Sequence, residues 1–233
     1  KKALFMLAVS LFSRMLVAQE VDVRALAGKT WYGVYLNEQK MGYAEHNLEI
    51  REDKSVSESL HVVLRVNQGG NVQDMTISET RVYAPEGNLQ RIVSQVNTAA
   101  GNQIFEATVE GDSMRCVSIV GGKKTEEVRN APGETLNDAL SRFRLISGAP
   151  SVGDALEYTR FESMLKVVVQ GRSKITEIEE KTIEGVTTRV YVVETEEKFP
   201  AETLRSISRI TQSGILLEDT IGGIYRMRLE PES

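Results

Sequence analysis

The chain of 233 residues has a mass of 25.9 kDa, which is long enough to bury a core without disulfides or structural metals. Apolar residues make up 41% and charged residues 26%, a composition that excludes a long disordered or collagen-like chain. The 28 basic residues are outnumbered by 33 acidic residues, which argues against nucleic-acid binding, and a single cysteine excludes a disulfide framework and a cysteine-rich zinc site.

Residues 1–18 have the pattern of a secretory signal peptide. Two lysines precede an apolar run over residues 3–12, and Ala18 is followed by polar residues. The run is much shorter than the ~20 residues that span a membrane. We therefore expect export to the bacterial periplasm or the extracellular space, with no membrane anchor after cleavage. An exposed amphipathic helix is the alternative interpretation.

Removing this segment takes three basic residues and no acidic residue from the chain. The mature protein then has 25 basic and 33 acidic residues. Such a protein should stay soluble and should not adhere to anionic membranes or to nucleic acid.

From Trp31 onward the chain is predicted to be mainly β. Short segments of alternating polarity end repeatedly at Gly, Asn or Asp. Over residues 56–66, apolar residues alternate on one face, and only Glu58 and Val63 break the pattern. The predicted strands cover residues 30–36, 41–50, 56–66, 72–83, 89–97, 103–109, 114–120, 155–161, 166–180, 186–195, 203–211, 215–219 and 224–229. Because the connections are mostly short turns, the sheet should be mainly antiparallel.

One helix is predicted over residues 135–147. Four apolar side chains share one face of it, and Thr135 and Asp138 resemble a capping box. Gly148 and Pro150 follow, which is typical of a helix end. We expect this helix to connect two groups of strands and to pack on the sheet.

The predicted architecture is a long curved antiparallel sheet, half-barrel or sandwich-like, in two halves. After the signal peptide, the first β-rich half covers residues 19–131 and the second covers residues 151–233. Residues 132–150 hold the connecting helix.

The hairpin sequences resemble those of a known family. The chain begins its β region with Trp-Tyr-Gly-Val-Tyr-Leu-Asn-Glu-Gln-Lys-Met-Gly-Tyr at residues 31–43. Val-Gly-Asp at residues 152–154 precedes an aromatic strand, and a glycine-rich hairpin covers residues 214–227. In this order the motifs resemble the β-rich region that precedes the catalytic core in bacterial exported transglutaminase-like proteins.

The resemblance implies an accessory domain that positions a protein substrate or partner. The activity of that family comes from a downstream papain-like core with Cys, His and Asp. No such core occurs within residues 1–233, so no catalytic residue can be carried over.

Candidates for chemistry are few. Cys116 lies in a predicted strand without a helix N-terminus to lower its pKa, so we expect a buried, unreactive thiol. His46 and His61 could join Glu45 or Glu49 as metal ligands, but they lack helical i,i+4 spacing, and solvated strand positions are favoured. The residues therefore predict no catalytic set, no metal site and no bound cofactor, and an enzyme ranks third among the possible functions.

The first predicted hairpin concentrates aromatic residues. Trp31 and Tyr35 alternate with Gly33 on one strand face, and Tyr43 lies across the turn. Together with Tyr32 they are the candidate binding residues, forming a platform for carbohydrate or peptide. Packing within the sheet is the interpretation that we favour, since aromatic cross-strand pairs stabilise sheets.

Two functions are carried forward. The first is the accessory domain that the resemblance implies. The alternative is a stand-alone periplasmic carrier of lipid or lipoprotein, whose curved sheet encloses an apolar ligand. A concave face lined by Leu, Val, Met and Phe favours the carrier, and a filled core favours the accessory domain.

Overall fold

A computed structural model of the protein describes residues 21–68, 71–148, 150–183 and 185–231, so the predicted signal peptide lies outside the described residues. The elements in chain order are α1 (Val23–Leu26), β1 (Gly28–Leu36), β2 (Gln39–Ile50), β3 (Val56–Gln68), β4 (Asn71–Tyr83), β5 (Leu89–Thr98), β6 (Gly101–Glu110), β7 (Ser113–Val120), β8 (Lys123–Asn130), α2 (Leu136–Ala139), α3 (Ser141–Ile146), β9 (Ala155–Glu162), β10 (Val167–Ile183), β11 (Val186–Lys198), β12 (Thr203–Thr211), β13 (Leu216–Ile221) and β14 (Tyr225–Glu230). No helix in this described part is long and apolar enough to cross a membrane.

The fourteen strands of the described residues form one antiparallel sheet in the order β8-β7-β6-β5-β4-β3-β2-β1-β14-β13-β12-β11-β10-β9. Strands that follow one another in sequence are paired, except β8 and β9, and the pairing of β1 with β14 joins the first eight strands to the last six. Strands β8 and β9 are therefore the two edges of an open sheet, and α2 and α3 connect them. The predicted fold class, a long antiparallel sheet in two halves with a helical connection, is confirmed.

Strand β8 and the helical connection differ from the sequence prediction. Strand β8 was not predicted because five of its eight residues, Lys-Lys-Thr-Glu-Glu-Val-Arg-Asn, are charged. Charge on an edge strand costs little and hinders pairing with another molecule. The predicted helix is divided into α2 and α3 at Leu140, whose φ of −92° and ψ of 20° interrupt the helical backbone. The predicted capping box is present, because the Thr135 N–H donates to Asp138 Oδ2 at 2.9 Å.

The buried apolar side chains form two clusters. The first lies where β1 and β2 meet the last six strands, and α3 contributes to it from the concave side. Its buried members are Tyr32, Val34, Ala44, Leu145, Ile146, Ile175, Tyr191, Val193, Ile210 and Leu216. The second lies on the first half of the sheet and contains Tyr83, Leu89, Ile92, Phe105, Ala107, Met114, Cys116 and Phe161.

Edge strand β9 packs against the first half of the sheet without pairing with β8. The Phe161 ring lies 5.9 Å from the Phe105 ring, centroid to centroid. Its backbone N–H donates to Glu134 Oε2 at 2.7 Å, and its carbonyl accepts from Arg81 Nη2 at 2.8 Å. Side chains thus satisfy backbone groups that a neighbouring strand would otherwise satisfy. Packing and side-chain hydrogen bonds, rather than strand pairing, therefore hold β9 against the first half of the sheet.

Candidate functional site

The concave face of the first half carries a continuous group of apolar side chains, which we call the apolar band. Strand register places Val62, Ile77 and Val96 side by side on β3, β4 and β5, and Leu64 beside Met75 in the next row. All five side chains are only partly buried. The alternation of β3 that the sequence shows is the cause, since every second residue points to the same face.

A charged layer adjoins the apolar band on the same face. It consists of His46 on β2, Glu58 on β3, and Glu79 and Arg81 on β4. Glu58, which breaks the apolar alternation of β3, faces inward, and its Oε1 lies 3.1 Å from His46 Nε2. The break in the sequence pattern therefore marks a charged side chain on the concave face.

Arg81 is the centre of a buried hydrogen-bond network. Its Nη1 donates to both oxygens of Glu134, at 2.7 and 2.8 Å, and its Nε donates to Glu79 Oε1 at 2.8 Å. Glu134 also accepts from the Tyr83 hydroxyl at 2.7 Å. Burial opposes the charge of Arg81, but Glu79 and Glu134 outweigh this effect and hold its pKa well above the ordinary value.

Arg81 and two serine hydroxyl groups favour the ionised form of Glu79. Burial acts to raise its pKa, yet the charge of Arg81 and hydrogen bonds from Ser163 and Ser94 together lower the pKa below its usual value. The Ser94 hydroxyl lies 2.6 Å from Glu79 Oε2. Since Ser163 follows β9, these bonds join the charged layer to the edge strand.

Arg142, on α3, lies on the concave side and contacts the second half of the sheet. Its Nη1 donates to Ser208 Oγ at 2.8 Å and to Asp219 Oδ2 at 2.9 Å. Asp219 is 5% exposed, whereas the Arg142 side chain keeps 30% of its surface accessible. The buried carboxylate thus holds a guanidinium group whose other side faces open space.

Arg160, on β9, is arranged in the same way. Its Nη2 lies 3.1 Å from Glu197 Oε2 and 3.3 Å from Glu162 Oε2, and its side chain is 34% exposed. The Tyr158 hydroxyl donates to Glu197 at 2.9 Å, and burial followed by the charge of Glu197 raises the pKa of Tyr158. Burial also raises the pKa of Glu162.

These groups surround a cavity of about 190 Å³. Its wall combines the charged layer with Glu134, Arg142 and Arg160 and with apolar side chains from both halves. The apolar and aromatic members are Tyr32, Leu60, Ala139, Phe143, Leu216 and Met227. A neighbouring cavity of about 150 Å³ shares Tyr32, His46, Phe143 and Leu216 with it. The concave side is therefore neither a filled apolar core nor a wholly apolar pocket.

The four candidate aromatic residues do not form one site. Tyr32 faces inward, is 5% exposed, and lines the cavity; burial raises its pKa to about 12. The other three lie on the outer face, where the Trp31 and Tyr43 rings are 5.8 Å apart. There the Tyr35 hydroxyl donates to Glu230 Oε1 at 2.6 Å. The binding role of these residues stays a prediction.

The candidate chemical residues are also separated. Cys116 is buried in the second cluster, and burial raises the pKa of its thiol. His46 faces the cavity, whereas His61 is on the outer face with Nδ1 2.9 Å from Ser78 Oγ. Over the described ranges, no group of three or more His, Cys, Asp or Glu side chains could hold a metal ion.

Sequence reasoning missed the charged residues that line the cavity. The missed residues are Glu79, Arg81, Glu134, Arg142 and Arg160. One signal was available on β4, where the inward positions read Met75, Ile77, Glu79, Arg81 and Tyr83, so that charge interrupts an apolar face. For the arginines of α3 and β9 no local signal exists, because exposed and buried arginines look alike in sequence.

No family model matches the chain. No curated protein matches it either. A solved structure of a β-barrel-like protein of the domain of unknown function DUF1849 from Brucella abortus is similar, with a TM-score of 0.64 and 12% identity over 87% of this chain and 94% of that chain. At this identity the likeness shows a shared fold. The hypothetical lipoprotein YmcC from Escherichia coli matches 92% of each chain at 11% identity, but its TM-score of 0.30 is too low to support an argument.

The resemblance to the region that precedes a transglutaminase-like core is wrong, because the fold is shared with the DUF1849 protein instead. Its motifs are hairpin sequences. They reflect what tight turns and closely packed strands require, and many antiparallel sheets need the same residues. The accessory role, which rested on that resemblance, is left without support.

Proposed function

We propose that this protein is a carrier that holds one amphiphilic small molecule on the concave face of its sheet. The observation that supports it is the apolar band, whose five inward side chains stay partly exposed. Val62 and Leu64 also pack against the first buried cluster, and the apolar surface of the band that stays exposed on the concave face favours burial against an apolar ligand. The open antiparallel sheet, with its barrel-like relative, has a shape suited to such a role.

The size of the cavity sets how the ligand lies. A volume of about 190 Å³ corresponds to roughly six water molecules at about 30 Å³ each. It is smaller than the roughly 300–1,000 Å³ typical of ligand pockets. Leu60 and Glu79 line the cavity, and Val62 and Ile77 are the next inward residues on the same strands. The polar end of the ligand occupies the cavity, and its apolar chain extends along the apolar band.

The carrier acts outside the cytoplasm, because residues 1–18 match a signal peptide. When the chain is expressed in a bacterium, we expect a mature form that begins close to Gln19 in the periplasmic fraction. N-terminal sequencing of the purified protein measures this. Retention of Lys1 in a cytoplasmic protein would contradict export.

Two variants test the binding site, with the same substitution placed on opposite faces of β3. Val62→Gln places an amide on the apolar band, and Val63→Gln makes the same change at the next residue, which faces outward beside Tyr43. We expect Val62→Gln to weaken binding of the apolar fluorescent probe N-phenyl-1-naphthylamine by about tenfold, since burying an amide without a partner costs about 1–3 kcal/mol and about 1.4 kcal/mol corresponds to tenfold.

Val63→Gln is the matched control and should bind the probe like the unaltered protein. Melting temperatures of both variants show that each is folded at the temperature of the titration. Equal probe affinity in the two variants, or no probe binding by the unaltered protein, would contradict the carrier function.

A further inference from the structure

The donors and acceptors of the cavity-lining side chains that have no partner within the protein indicate the chemistry of the ligand's polar end. Glu134 already accepts four hydrogen bonds, from Arg81 twice, from Tyr83 and from the Phe161 backbone. Glu79 accepts from Arg81, Ser94 and Ser163. The acceptor capacity of these two carboxylates is therefore largely used within the protein.

The donors of the two remaining arginines are not used up. The hydrogen bonds of Arg142 all come from Nη1, so its Nε and Nη2 have no partner among the described residues. Arg160 bonds through Nη2 alone, and its Nε is buried without a partner. A guanidinium group has five N–H donors. A ligand that accepts hydrogen bonds would complete the bonding of both arginines.

The charge around the cavity restricts which acceptor fits. We count the charged groups that line the cavity, together with their ion-pair partners. Within the described part of the chain they include six carboxylates and three guanidinium groups. The carboxylates are Glu58, Glu79, Glu134, Glu162, Glu197 and Asp219, and the guanidinium groups are those of Arg81, Arg142 and Arg160. The carboxylates remain in excess even when His46 is counted with the three guanidinium groups. An anion would enter a site where negative charge already prevails.

Free donors in a site with excess negative charge suit an acceptor that carries no charge. On the basis of the proposed carrier function, we infer that the ligand is an uncharged acyl amphiphile whose ester or amide carbonyl and hydroxyl oxygens accept hydrogen bonds from Arg142 and Arg160. A cationic ammonium headgroup is disfavoured because it accepts no hydrogen bonds from Arg142 and Arg160, and the oxygens of Glu79 and Glu134 are already engaged. Asp219, Glu162 and Glu197 hold the two guanidinium groups in place for this contact.

Three amphiphiles with the same twelve-carbon chain test this inference. The neutral 1-lauroylglycerol, the anion laurate and the cation dodecylamine each displace bound N-phenyl-1-naphthylamine, at about pH 8 and below their micelle concentrations. We expect 1-lauroylglycerol to bind at least about tenfold more tightly than either charged amphiphile, a difference of about 1.4 kcal/mol.

A double variant tests whether Arg142 causes the preference for 1-lauroylglycerol. Arg142→Gln with Asp219→Asn removes both charges of one ion pair together, so no uncompensated charge is left buried. The control is Arg209→Gln with Glu218→Gln, which alters an ion pair of 3.2 Å between neighbouring residues of β12 and β13 on the outer face. We expect the first variant to lose about tenfold in affinity for 1-lauroylglycerol and to keep its probe affinity, whereas the control keeps both.

The outcomes separate the two proposals. If laurate or dodecylamine binds as tightly as 1-lauroylglycerol, or if the Arg142 variant keeps the preference for the neutral lipid, the inference about the headgroup is overturned and the carrier function stands. If the probe and all three amphiphiles fail to bind the unaltered protein, the carrier function is overturned and the headgroup inference with it.

Discussion

Glycines inside the strands mark positions where another group occupies the space of a side chain. A Cβ at Gly171 would collide with the Tyr158 ring, which lies over the β10 backbone next to Arg160. A Cβ at Gly42 would collide with the backbone carbonyl of Val63. At residue scale, these glycines allow close approach, which is a common reason for glycine within a strand.

The first hairpin offers a comparison between two such glycines. A methyl group at Gly33 would meet the Glu230 carboxylate and the Tyr35 ring, and the carboxylate lies at the end of a flexible side chain that can move. At Gly42 the obstacle is backbone. We expect Gly42→Ala to lower the free energy of unfolding by about 1–3 kcal/mol, as overpacking commonly does, and Gly33→Ala to lower it less. Chemical denaturation measures both, and a larger loss for Gly33→Ala would contradict this account.

At the scale of elements, β4 shows how one strand serves two purposes. Its inward residues are apolar where they form the apolar band, at Met75 and Ile77, and charged at Glu79 and Arg81. The charged residues contact β9, which has no strand neighbour on that side. Arg81 donates to the Phe161 carbonyl, and Glu79 accepts from Ser163. A network that is fully bonded in this way fixes the position of the edge strand.

The ionisation of Glu79 makes this contact sensitive to acid. Because the pKa of Glu79 is lowered in the folded protein, its contribution to stability is present above the unfolded pKa of about 4.3 and is lost as the pH falls through the folded value. We expect Glu79→Gln to lower the melting temperature at about pH 7, and the difference from the unaltered protein to shrink at about pH 3. Thermal melts at both pH values measure this.

The control for this experiment is Glu106→Gln. Glu106 forms an exposed ion pair with Arg91 at 3.7 Å on the neighbouring strands β5 and β6, where ion pairs contribute about 0–1 kcal/mol. Its melting temperature should stay close to that of the unaltered protein at both pH values. A difference for Glu79→Gln that is the same at about pH 7 and about pH 3 would show that the carboxylate is not ionised through the network.

At the scale of the whole molecule, the pairing of β1 with β14 creates the site. It joins residues 189 to 199 positions apart into one continuous sheet and lets the sheet curve until β9 packs inside the first half. The space that remains lies between the apolar band, the charged layer and α3. Because β8 and β9 are not paired with each other, the sheet keeps its concave side without closing into a complete barrel.

The sequence by itself determined the local structure. Alternation of polarity and turn residues located thirteen of the fourteen strands, and the Thr135 capping box located the start of the helical connection. The buried setting of Cys116 also followed from its strand context. Such features depend on neighbours a few residues away, which is why they can be read from a single chain.

The tertiary structure alone decided the site. Glu134, Arg142 and Arg160 lie on a connecting segment, a short helix and an edge strand, and they meet Arg81 and Glu79 only because the sheet curves. Whether a charged side chain faces solvent or a cavity depends on elements far away in sequence. The hairpin motifs indicated the wrong family because many sheets share them. Local patterns determine strands and turns, whereas the pairing of distant strands determines what the concave face can bind.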